Sequence, residues 1–410
     1  MNIIAVIILL TLVADLILNC IADVLNLGML RGELPREFED VYDAERYRQS
    51  QEYLSVNTRF GWVVSAVDLC IFLVFWFGKG FPLLDEWVRS WEQGPVVSGL
   101  IYMGILLLLK SLLSLPFSVY DTFVIEERFE FNKTTWKTFV ADRLKGLLLS
   151  ILLGIPLLAA VLAFFEYAGT NAWWYCWISV IIYTLGVQFV YPNWIMPLFN
   201  KFDPLGDGEL RSAIMAYAQS VSFPLKNVFV MDGSRRSGKS NAFFTGFGKN
   251  KRIALFDTLI AQHTVSELVS VLAHEIGHYK KRHILKTMVI GIVHMGVIFF
   301  LMSLFISYQG LFDAFYMEKQ SVCAGLIFFG MLLAPLDLFL GIFMQMFSRK
   351  NEYEADRFAV ETTREPDAMI NALKKLSANN LSNLLPHPFY VFLNYSHPPV
   401  SERIRAMRNM

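Results

Sequence analysis

The sequence predicts a mainly α-helical, polytopic membrane protein with a small polar α+β portion. Three observations carry this. The chain of 410 residues is 55% hydrophobic and only 18% charged, where soluble domains run to about a quarter charged. Seven apolar stretches, at 3–25, 60–77, 96–115, 146–167, 173–191, 284–306 and 322–347, approach or exceed the roughly 20 residues that span a bilayer. Two polar regions, 199–283 and 349–410, flank the last two stretches. Two crossings return the chain to its starting side, so both regions belong at one membrane face. The formal net charge is zero, and no global field argues for nucleic acid as a partner.

The first stretch has no basic residue before it, carries Asp15 inside and is followed by no small-x-small site. It reads as a retained helix, not a cleaved signal. Lys and Arg crowd the first, third and fifth loops and the tail, for example Arg36, Arg46, Arg143, Lys145, Lys281 and Arg349, while the opposite side offers little beyond Lys79, Arg89 and Lys319. The positive-inside rule puts that basic side, with both polar regions, in the cytosol. Asp15, Asp68, Lys110, His294 and Asp337 lie inside spans. Such groups face a watery interior or pair with one another. The cysteines, at 20, 70, 176 and 323, form no CxxC pair and read as buried thiols. The chain therefore divides into spans one to five with their loops (1–198), a first polar part (199–283), spans six and seven (284–348) and a second polar part (349–410).

Within the first polar part, Leu210, Ile214, Met215 and Ala218 follow helical spacing. "KNVFVMD" and "KRIALFDTLI" read as strands, and "NAFFTGFG" between them as a hairpin or edge strand. Thr264 and Glu267 make a capping box that should start a helix.

Two motifs compete for the chemistry. "GSRRSGKS" (233–240) fits the phosphate-loop pattern. That pattern requires a strand before it and a helix after it, whose N-terminus holds the phosphates. Here Asn241, Gly246 and Gly248 follow, which suit a hairpin better than a first helical turn. No residue is therefore assigned to nucleotide binding. "HEIGH" (274–278) places His274 and His278 at i and i+4 on a capped helix, so both reach one metal with Glu275 beside it. Chance would produce this pattern on the order of once in 200 such sequences. Glu352 of "NEYEAD" follows the last span. An antiparallel helix pair would bring it level with His278 as a third ligand, and Asp356, one turn on, could accept a hydrogen bond from a ligand histidine. If the helix runs on into the sixth span, the metal lies about 9 Å from the bilayer. Lys280, Lys281, Arg282 and His283 then form an interfacial cluster.

Taken with "FVIEERFEFNKTTWKTFVADRLKG" (123–146), "IMPLFNKFDPLGDGELRSAI" (195–214), "SNAFFTGFGKNKRIALFDTLI" (240–260), "LAHEIGHYKKRH" (272–283) and "SHPPVSERI" (396–404) in that order, the chain resembles the type I CAAX prenyl proteases. These are the integral-membrane zinc metalloproteases of the yeast a-factor and lamin A processing type. The resemblance implies seven helices around a water-filled chamber, with a small cytosolic α+β protease domain at its rim. It implies one zinc per chain on His274, His278 and Glu352, with Glu275 as the catalytic carboxylate. His397 and Arg403 match its substrate-contacting pair, and Asn241 and Ala242 its substrate strand. His397 is also the candidate oxyanion donor, against the plainer reading of a His-Pro-Pro turn. The expected partners are a peptide or prenylated protein and the bilayer, with the chain acting as a monomer. The location is an ER or inner nuclear membrane in a eukaryote, or the cytoplasmic membrane in a bacterium. Three alternatives stand beside this: a protease for unprenylated membrane proteins, a nucleotide-driven membrane protein, and a seven-helix receptor or transporter with an incidental histidine pair.

Overall fold

The computed structural model describes residues 1–30, 33–245 and 251–410. Gly246 and Gly248, named above, lie outside them. Six continuous helices are long and apolar enough to cross a membrane: Ile3–Leu27, Ala44–Phe77, Pro95–Arg128, Trp136–Tyr167, Gly169–Phe199 and His283–Phe305. The seventh crossing is broken, with Val322–Leu332 and Ala334–Thr363 meeting at 53°. Pro335 explains the break, because proline cannot donate into the preceding turn but fits the first turn of a new helix.

Several helices outrun their apolar stretches. The second starts at Ala44, where the Asp43 side chain caps the Arg46 amide. Its 34 residues make a rod about 51 Å long. Hydropathy marks where a helix enters lipid, and it cannot mark where a helix continuing through water ends. The third and fifth spans each pass through a wide π turn, Asp121–Ile125 and Tyr191–Ile195, just before their last residues.

Contacts run from third to fourth, fifth, sixth, seventh and first span, then to the second, and the short helix Gly80–Arg89 links the second back to the third. In the six continuous spans only 6% to 17% of each apolar window is buried. The first half of the seventh crossing also touches the third and fourth spans, across the circuit. Ionisable residues in the spans pair up: Lys110 Nζ is 2.7 Å from Asp68, and His294 Nε2 is 3.7 Å from Asp337. Asp15 accepts from Asn19 one turn on. The loose packing also corrects one expectation: Cys176 and Cys323 are buried, but Cys70 is exposed and Cys20 partly so.

Two cores close the two ends. At the far end, Trp76, Phe81, Phe315 and Phe328 pack with Ile4 and Ile8. Phe315 and Phe328 stack at 3.9 Å, and the Trp76 indole donates to the Ala314 carbonyl at 2.8 Å. At the polar end sits a four-stranded sheet of β1 (Phe202–Pro204), β2 (Leu225–Met231), β3 (Ala242–Thr245) and β4 (Lys251–Phe256), in the order β1-β2-β4-β3. β2 and β4 are parallel and the other pairs antiparallel. The expected strands are present, but "DTLI" belongs to a helix, Asp257–Gln262, and β1 was not foreseen. Ile214, Ile253, Leu255, Leu272 and Ile276 fill the core between this sheet and its helices. The first and third loops reach the same end, through Lys374 on Asp40 and Arg236 on Asp142.

Candidate active site

The helix Val265–Lys280 starts at a complete capping box: the Thr264 side chain receives the Glu267 amide, and Glu267 returns to the Thr264 amide. It packs antiparallel to the broken seventh crossing, and Gly277 is where the two come closest. A Cβ there would sit 3.1 Å from both Cα and O of Ala355. Because these are backbone atoms, nothing soft could yield. The glycine inside "HEIGH" thus allows the approach that carries Glu352 to the two histidines.

His274 Nε2 and His278 Nε2 are 3.1 Å apart. Glu352 reaches them at 3.4 Å and 3.2 Å. Zinc bonds of about 2.0–2.1 Å at tetrahedral angles would set ligand atoms about 3.3–3.4 Å apart, so the three donors fit such a cation. Glu352 Oε2 is buried with no hydrogen-bond partner among the described residues, an acceptor that a cation would satisfy. His274 Nδ1 donates to Asp356 Oδ1 at 2.8 Å, which leaves its Nε2 lone pair free for a metal. Burial by itself lowers the His274 pKa, but the hydrogen bond to Asp356 and the Glu352 carboxylate beside it outweigh that and push the ring up to about 9. A metal must displace that proton.

Asp356 is itself held. Arg403 clasps it with Nε at 2.8 Å and Nη2 at 2.6 Å, a bidentate pair that matches the guanidinium fork. Arg403 is buried, with Nη1 3.5 Å from Glu352 Oε2. His397 lies on the rim with Nε2 3.4 Å from Glu352 Oε1, its side chain 64% exposed. Ser240, Asn241, Ala242, Glu275, His397 and Arg403 line one cleft of about 560 Å³ with His274 and Glu352. β3 is the last strand of the sheet, and the Asn380 side chain bonds both the amide and the carbonyl of Ser240, at 3.0 Å and 3.2 Å, just before that strand.

The "GSRRSGKS" stretch leads into β3, not into a helix. Two of its three charges are engaged: Arg236 grips Asp142 at 2.7 Å and 3.0 Å, and Lys239 contacts Glu126 at 2.9 Å and Tyr53 at 2.8 Å. They tie the third loop to the strand in the cleft wall.

Sequence reasoning misplaced one residue here. The helix does not run on into the sixth span. It breaks at Arg282, whose φ is +58°. His283 is buried under His278 instead of sitting in the headgroups. The signal available was a third histidine beside a stretch of three basic residues, but the break that turns it inward has no proline or glycine to announce it.

Residues 25–201 match the family described as CAAX prenyl protease N-terminal, five membrane helices, and residues 204–410 match peptidase family M48. A CAAX prenyl protease 1 homolog of Oryza sativa is 37% identical, with 92% of this chain and 90% of that protein covered. CAAX prenyl protease 1 of Saccharomyces cerevisiae is 34% identical, with 92% and 88% covered. The crystal structure of S. mikatae Ste24p superposes with a TM-score of 0.94 at 32% identity, over 99% of both chains. A membrane-embedded fold shared end to end, and an M48 half that carries a His-His-Glu cluster fit for a metal, place this chain in the CAAX prenyl protease family of membrane metalloproteases.

Proposed function

We propose that the chain is a zinc endopeptidase that removes the aaX tripeptide from prenylated CaaX proteins or peptides at the cytosolic membrane face. The observation that carries this is the cleft that holds Glu275, His274, Glu352 and the start of the edge strand together, with His278 within ligand distance of His274 and Glu352. His274, His278 and Glu352 would hold the zinc, with Asp356 behind His274. Zinc bound there would supply a water activated near neutral pH and a polarised scissile carbonyl.

The chain's own groups do the rest. The Glu275 carboxylate takes the proton of the attacking water and later delivers it to the leaving amine. His397, on the rim, is placed to donate to the oxyanion that develops. Arg403 keeps Asp356 ionised and aimed at His274, and from its place in the cleft wall it also contacts the substrate. The peptide lies along Asn241 and Ala242 by strand addition, where backbone hydrogen bonds hold it without demanding particular side chains. In this division of labour 1–198 and 284–348 build the membrane enclosure, while 199–283 and 349–410 form the split protease domain. The basic loops support a cytosolic protease domain, in an ER or inner nuclear membrane of a eukaryote or a bacterial cytoplasmic membrane. One chain carries every site residue, so a monomer suffices.

The test is cleavage of a farnesylated CaaX peptide by purified protein, beside the same peptide unprenylated. Turnover should stop with a zinc chelator. Glu275→Gln should keep its metal and lose on the order of 10²–10⁴ in turnover. Full activity in Glu275→Gln would sink the mechanism, and equal cleavage of the unprenylated peptide would favour a quality-control protease.

A further inference from the structure

The break at Arg282 turns the chain so that His283 faces back onto His278. On an unbroken helix, residues five apart lie about 140° apart around the axis. Here their Nδ1 atoms are 3.0 Å from each other. The left-handed turn at Arg282 is strained for a residue with a Cβ, and such turns persist where the surroundings hold them. His283 is only 3% exposed, and its Nε2 lies 3.2 Å from Glu354 Oε2.

The order of protons along this chain follows from the donor inventory. A carboxylate only accepts, so His283 donates Nε2–H to Glu354. The Nδ1 of the neutral His283 ring then carries a lone pair and accepts Nδ1–H from His278. That leaves His278 Nε2 as a lone pair, pointing to the space between His274 Nε2 at 3.1 Å and Glu352 Oε1 at 3.2 Å. His274 reaches the same state by another route, through Asp356 and Arg403. The side chain of His278 is also the more exposed of the two, 20% against 9%, so packing fixes its ring less.

We propose that His283 and Glu354 form a positioning relay that sets the tautomer and ring orientation of His278 for the metal. This rests on the reading of His274, His278 and Glu352 as the ligand set. The test measures zinc affinity and the rate of zinc loss to a chelator in purified full-length protein, with turnover of the farnesylated peptide alongside. His278→Ala should abolish stoichiometric zinc. If it does not, the ligand set fails, and the relay with it. His283→Leu should lose about 10- to 100-fold in zinc affinity, the usual effect of removing a group that orients a ligand. His283→Asn keeps a polar atom near the Nδ1 position and should recover most of that loss. A merely structural role would lower Tm in both variants and leave zinc affinity unchanged. Glu354→Ala, at a partly exposed position, guards against misfolding of the leucine variant and should cost several-fold in affinity. If His278→Ala loses its zinc while His283→Leu, or Glu354→Ala where the leucine variant does not fold, holds zinc as tightly as the parent protein, the relay is overturned.

Discussion

At the far end of the molecule Trp76, Phe81, Phe315 and Phe328 are buried against one another, with ring centroids as close as 3.9 Å. At the opposite end His274, Glu352, Asp356 and Arg403 are buried almost as deeply, but all are ionisable. The far end only has to close, and stacked aromatic rings do so without orphaned polar atoms. The metal end must keep charged groups out of water: Asp356 is matched by Arg403 and His274, and Glu352 faces both histidines with Oε2 left as an acceptor for a cation. Breaking one partner of such a set leaves an uncompensated buried charge. The comparison teaches that burial at the first end serves stability and at the second end serves orientation.

The contrast can be broken by mutation. Phe328 is fully buried at the far end, and Phe328→Ala should cost about 3–5 kcal/mol, read as a large drop in Tm. Below that Tm, zinc content and turnover should match the parent protein. Zinc loss in this variant would mean that the two ends are coupled. Asp356→Asn should do the reverse. It keeps the shape but removes the carboxylate that receives His274 and Arg403, and zinc affinity should fall about 10- to 100-fold. Unchanged zinc affinity would place the orientation of His274 elsewhere.

The smallest effect sharpens the edge of the metal end. Arg236 and Asp142 are each about one-fifth exposed, so Arg236→Ala should cost roughly 1–2 kcal/mol. Because this pair ties down the approach to β3, KM should rise a few-fold while kcat holds. ATP should shift the Tm of neither protein. A nucleotide-dependent Tm that disappears in the variant would restore the phosphate-loop reading.

What was legible in the sequence was whatever local pattern writes down. A capping box, an i and i+4 histidine pair and runs of apolar residues are each read within one helix, and each stands where expected. Pattern failed where two segments had to meet. Gly277 could be seen only as a weak helix residue until Ala355 was found against it. His283 looked interfacial because its neighbours are basic, and only the turn at Arg282 shows it facing inward. For "GSRRSGKS" local pattern already argued against a phosphate, but the partners of its charges, Asp142 and Glu126, came only with the structure.

By itself, then, the sequence determined a seven-crossing membrane chain and a set of candidate residues for metal-assisted peptide hydrolysis. Apolar length and helical spacing are local properties, and they survive without knowledge of partners. Only the tertiary structure decided how those residues come together: Glu352 arriving 78 positions after His274, its approach permitted by one missing Cβ, and two histidines hydrogen-bonded from behind to unlike partners. A ligand's reach is set by helix spacing, but its direction is set by the hydrogen bond on its far nitrogen. That bond comes from another part of the chain.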